Sequence, residues 1–98
     1  MKEDNLEERL KVGDIVKHFK RELVEPLANP NIYLYKILGF ATHTETKEKM
    51  VAYQALYRNS EMGVNYDVYV RPYDMFMSEV DHTKYPQIKQ KYRFEKYM

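Results

Sequence analysis

The chain has 98 residues, of which 44% are hydrophobic and 32% charged, the balance of one globular domain rather than of two or of a disordered chain. Sixteen basic against fifteen acidic side chains leave a formal charge of +1, so no global basic field argues for nucleic acid. The absence of cysteine excludes disulfides, thiolate zinc sites and thiol nucleophiles.

Residues 1–11 are charged and read as an N-terminal extension, acidic up to residue 9, where Glu3, Asp4, Glu7 and Glu8 outnumber Lys2 and Arg9. They hold no signal-peptide core, and no apolar run in the chain approaches the roughly 20 residues of a membrane span. A cytoplasmic location with no membrane partner is therefore expected. Gly13-Asp14 reads as a turn opening a first strand, Ile15 to Lys20. Asn29, Pro30 and Asn31 close a stretch, residues 21–31, that reads as loop.

Two apolar runs follow, Ile32 to Thr44 and Met50 to Tyr57, and together they predict a hairpin. It turns at His43-Thr44-Glu45-Thr46, and the polar gap Glu45-Thr46-Lys47-Glu48 lacks Gly and Pro, which favours a four-residue loop over a tight primed turn. Period-2 alternation puts Tyr33, Tyr35, Ile37, Gly39, Ala41 and His43 on one face of the first arm. Large apolar groups nevertheless occupy both faces, which suggests a strand bent at Gly39.

A fourth strand, Tyr66 to Arg71, is ended by Pro72, and Pro72 suits the start of a short helical turn over 73–77. Residues 79–91 are mostly polar, and Arg93-Phe94-Glu95 reads as a final strand. Residues 84–98 carry Lys84, Lys89, Lys91, Arg93 and Lys96 against Glu95 and read as a solvated basic tail. The expected fold is mainly β: a small SH3-like barrel of about five strands over residues 12–98, with a helical turn before the last strand.

Ten of the fourteen aromatics are Tyr and none is Trp. A ring with a polar tip suits a thin core whose side chains reach the surface, and it suits a binding face equally. Tyr53 and Tyr57 share a face of the third strand, and Tyr69 and Arg71 share one of the fourth. A guanidinium beside such rings can hold a carboxylate or phosphate in a bidentate pair. The plainer reading makes each Tyr a core residue and pairs Arg71 with Glu45 or Asp67.

His43 and Glu45, two apart on one face, supply two of the three or more ligands that a metal needs, with His18 or Glu48 as candidates to complete the set. Neither Ser60 nor Ser78 lies in a glycine-flanked elbow, and the three glycines are too scattered for a phosphate loop. No catalytic residue, metal or cofactor is assigned on these grounds.

The order of several segments is nonetheless distinctive. His18-Phe19-Lys20, Leu38-Gly39-x-Ala41-x-His43-Thr44-Glu45-Thr46, Val51-x-Tyr53-Gln54-x-Leu56-Tyr57 and Val70-Arg71-Pro72 are followed by Met75-Phe76, Lys84-Tyr85-Pro86 and Gln90-Lys91-Tyr92-Arg93-Phe94. Over about residues 12–95 this pattern resembles the bacterial family called domain of unknown function (DUF) 1653. The resemblance implies a compact, mainly β domain with no assigned activity. Arg21 stands where that pattern usually has Gly, the loop that follows is longer, and Glu61 to Asn65 look like extra residues.

The residues it retains, His18, Lys20, His43, Glu45, Tyr57 and Arg71, are the candidate ligand-binding set. The expected function is a small non-enzymatic binding module for an anionic or extended ligand, with a small ligand, a peptide or a nucleic acid as the expected partner. The alternatives are a hydrolase or metal-dependent enzyme using His43 and Glu45, and a purely structural polar network that fixes the hairpin.

Overall fold

The computed structural model describes residues 9–25, 29–59 and 64–98. Five strands form one antiparallel sheet: β1 (Ile15–His18), β2 (Leu34–Thr42), β3 (Lys49–Ala55), β6 (Val68–Pro72) and β7 (Phe94–Lys96), in the order β6-β3-β2-β1-β7. The short β4 (Arg58–Asn59) and β5 (Val64–Asn65) pair separately. A 3₁₀ turn, Phe19–Leu23, occupies the end of the expected first strand and the start of the expected loop, and α1 (Tyr73–Phe76) follows Pro72 as expected. Among the described residues no helix is long and apolar enough to cross a membrane.

Alternation puts one face of the sheet inside. Val51, Tyr53 and Ala55 of β3 are buried, while the residues between them are half-buried. On β6, Tyr69 and Arg71 turn inward and leave Val68 and Val70 exposed. On β2 the phase reverses: Ile37 pairs with Tyr53, but Gly39 pairs with Ala52, so Leu38 is an extra residue in a β-bulge. Before the bulge Tyr35 and Ile37 face the core; after it Phe40 does, opposite Val51. This reversal explains the large apolar groups on both apparent faces of the sequence. A Cβ built on Gly39 meets nothing within 4 Å, so the bend comes from the extra residue and not from a close approach of backbone.

The sheet is not closed into the barrel that the sequence suggested. Its edges, β6 and β7, share no ladder. The sheet curls far enough, however, to bring the Arg71 guanidinium 5.6 Å from the centre of the Phe94 ring. Phe76 of α1 stacks on Phe94 at 4.0 Å and meets Tyr53 edge-on at 5.0 Å, filling the floor of the curl.

Two expected boundaries shift. Leu10 is completely buried, and Arg9 lies 3.8 Å over the Tyr92 ring and donates to the Phe94 carbonyl at 2.8 Å, so both belong to the body of the domain. Residues 1–8 lie outside the described residues, as do Pro26 and three of the extra residues, Glu61 to Gly63. The basic segment from residue 84 is not a solvated tail: Ile88, Gln90 and Phe94 are buried. The Gln90 amide donates to the carbonyls of Lys17, Tyr92 and Arg93 at 3.0, 3.0 and 3.3 Å, which ties this segment to β1.

Candidate functional site

His18 ends β1 and caps the 3₁₀ turn that follows. Its Nδ1 accepts the Lys20 backbone N–H at 3.1 Å, so the neutral ring carries its proton on Nε2. The ring stacks on Phe19 at 4.5 Å and meets Phe94 edge-on at 4.9 Å. Burial pushes its pKa down to about 3, and the positive charges of Arg71, Arg93 and Lys20 push in the same direction.

Those cations arrive from three separate parts of the chain. Arg71 projects inward from β6, its Nε donating to the Tyr53 hydroxyl at 3.1 Å. Arg93, just before β7, donates through Nε to the Met75 carbonyl at 3.1 Å and to Ser78 Oγ at 3.2 Å. Burial lowers the pKa of Arg93, and the neighbouring charge of Arg71 lowers it further. Lys20 is exposed at the first turn after His18. Among the described residues no carboxylate lies within ion-pair distance of Lys20, Arg71 or Arg93.

His18, Lys20 and Arg71 line two adjoining concavities. The first, of about 390 Å³, extends toward Arg93, Lys84 and Asp81. Asp81 is occupied locally, its Oδ1 accepting the N–H groups of Thr83 and Lys84 at 3.1 and 3.2 Å. The second, of about 240 Å³, extends among Tyr33, Tyr35, Tyr57 and Tyr69. The Tyr35 and Tyr57 hydroxyls are hydrogen-bonded to each other at 3.0 Å, and burial raises both pKa values. Tyr33 has a positive φ of 61°, a left-handed conformation that costs a non-glycine residue about 1 kcal/mol or more. Its ring is thereby set against both His18 and Tyr57, at 5.9 Å from each.

Of the residues singled out in the sequence, His18, Lys20, Tyr57 and Arg71 come together here. His43 and Glu45 line neither concavity. They stand at the exposed hairpin turn, where His43 Nδ1 accepts the N–H groups of Glu45 at 3.1 Å and Thr46 at 3.3 Å. Arg71 bonds Tyr53 and does not pair with Glu45 or Asp67. Among the described residues no group of three or more His, Asp or Glu side chains converges to hold a metal. Sequence reasoning missed Arg93, Lys84, Tyr33 and Tyr35; the excess of positive charge after residue 84 was the signal available for the first two.

Fold and site together describe a small curled-sheet domain with a cationic, tyrosine-lined concavity on its inner face. Residues 14–96, which contain all of these side chains, match the family described as Protein of unknown function (DUF1653), and the chain belongs to that family. No curated protein and no solved structure matches it.

Proposed function

We propose that this chain is a small non-enzymatic binding module that takes an anionic ligand in the concavity around His18, Lys20, Arg71 and Arg93. The observation that carries the proposal is the convergence of three cations, none paired with a carboxylate among the described residues, on one histidine N–H donor. Unpaired cations of this kind favour a carboxylate or phosphate in charge-assisted hydrogen bonds. Binding is favoured over acid–base chemistry because an imidazole with a pKa of about 3 is a poor proton acceptor near neutral pH, where an efficient catalytic group needs a pKa close to ambient. A hydrolase or metal enzyme built on His43 and Glu45 finds less support, since His43 Nδ1 already serves the turn.

The test is calorimetric titration of the full chain with inorganic phosphate. Arg71→Gln is expected to weaken binding about tenfold or more, the loss of one charge-assisted bond, while the variant stays folded by circular dichroism. Equal affinity in the folded variant, or no binding of phosphate or carboxylate ions at all, contradicts the proposal.

A further inference from the structure

The two concavities that meet at His18, Lys20 and Arg71 offer different chemistry. On the side of Arg93 the groups are mostly donors: the His18 Nε2–H, the guanidinium nitrogens of Arg71 other than the Nε engaged by Tyr53, those of Arg93 other than its Nε, and two ammonium groups. Beside them stands one carboxylate, Asp81, whose Oδ1 is already engaged by the Thr83 and Lys84 N–H groups. Such a wall suits an oxyanion, which has several acceptor oxygens and, when fully ionised, no donor. The tyrosine side is of another kind. Tyr35 and Tyr57 share one hydrogen bond, which uses one of their two hydroxyl protons and leaves the other proton and further lone pairs for a ligand. That floor both donates and accepts, and it is framed by the half-buried rings of Tyr33 and Tyr69.

A phenyl ring or an aliphatic chain lodged there would leave the remaining proton and lone pairs of the hydroxyl pair without partners, at a cost in affinity. A planar heteroaromatic ring can stack on tyrosine and present donors and acceptors along its edge. From the abutment of this floor with the donor wall we infer that the ligand is a single nucleotide unit, with its base over the Tyr35–Tyr57 pair and its phosphate at Arg71, Arg93 and His18. The inference rests on the anionic-ligand reading above and narrows it.

One unit, rather than a long tract, fits the charge distribution. The cations gather at one opening on a chain of net charge +1, whereas tracking a polynucleotide backbone needs an extended basic groove. Concavities of about 390 and 240 Å³ are also on the scale of a small-molecule site. A free nucleotide and one residue turned out of a single strand present the same chemistry.

Calorimetric titration of the full chain with uridine 5′-monophosphate, uridine, inorganic phosphate, phosphotyrosine and a four-nucleotide oligouridylate tests the inference. The monophosphate is expected to bind about tenfold or more tighter than inorganic phosphate or uridine, since base–aromatic stacking adds to the phosphate contacts. Tyr57→Phe, which keeps the ring, and Tyr69→Leu are both expected to shrink that advantage and leave the affinity for inorganic phosphate unchanged. Tighter binding of the oligonucleotide identifies a strand as the source; equal or weaker binding identifies the free nucleotide. If inorganic phosphate or phosphotyrosine binds as well as the monophosphate, or if both folded tyrosine variants keep its full advantage, the nucleotide inference falls and the anion reading stands. If none of the anions binds, both fall.

Discussion

His18 stays neutral among three cations because its ring is buried and its Nδ1 is committed to a backbone N–H, so protonation would bury a charge beside like charges. Folding therefore lowers the imidazole's affinity for a proton, and the unfolded chain, with a His pKa near 6.5, is protonated first as pH falls. The stability due to this residue is complete above about pH 6.5 and is lost progressively down to about pH 3, at up to about 1.4 kcal/mol per pH unit. Between pH 7 and pH 4.5 the chain should lose about 2–3 kcal/mol from this source, measured by urea denaturation. His18→Asn, which retains a side-chain acceptor for the Lys20 N–H, should remove most of that loss; an unchanged pH dependence in this variant would contradict the assignment. The polar character of His18 within a strand was legible in the sequence. Its tautomer was not, because that depends on the 3₁₀ turn begun at Phe19, where the apolar run read as continuing strand. Gln90 was hidden for a related reason: a glutamine in a polar, lysine-rich stretch gives no sign that three carbonyls converge on its amide.

Among the elements, the β2–β3 hairpin shows where pattern reading worked and where it stopped. Its arms were evident from two apolar runs. Six residues, His43 to Glu48, separate its strands. The His43 N–H donates to the Glu48 carbonyl at 2.8 Å, so the loop it encloses is Thr44 to Lys47, one residue earlier than the four expected. Lys47 has a φ of 65°, and its N–H donates to the His43 carbonyl at 2.8 Å. The phase reversal at Leu38 was not legible, because a bulge is a property of two paired strands and the sequence displays one at a time. Extending a single parity along β2 put His43 on the same face as Tyr35, and so toward a shared site. The bulge breaks that parity, and the His43 ring folds back onto its own turn. His43→Ala should therefore cost about 1 kcal/mol in thermal or urea unfolding, the worth of a modest exposed hydrogen bond, and leave phosphate affinity unchanged. A fall in phosphate affinity with no change in stability would return His43 to the binding site.

For the whole molecule, the site exists because the sheet order places β1, β3 and β6 on one curled surface and brings β7 round to β1. His18 pairs with Phe94, and Arg71 reaches the Phe94 ring across the open edge, so side chains from distant parts of the chain share one concavity. Strand periodicity is local and carries no information about which strands neighbour one another, which is why the sequence could single out six candidates but not show that four of them lie around one concavity. The openness of the sheet matters to the same end. With β6 and β7 unpaired, the gap between them is spanned by side chains such as Arg71 and Phe94, leaving the cations facing an opening rather than a continuous ladder.

The most direct test of an anion site at that opening is chemical-shift mapping of the isotope-labelled chain titrated with inorganic phosphate at neutral pH. The expected result is saturable shifts at the His18 ring, the Lys20 and Arg71 amides and the Arg71 and Arg93 Nε–H groups, with Glu45, Thr46 and Lys47 unmoved. Saturable shifts centred on the hairpin turn, or none at His18, Arg71 and Arg93, would contradict the account.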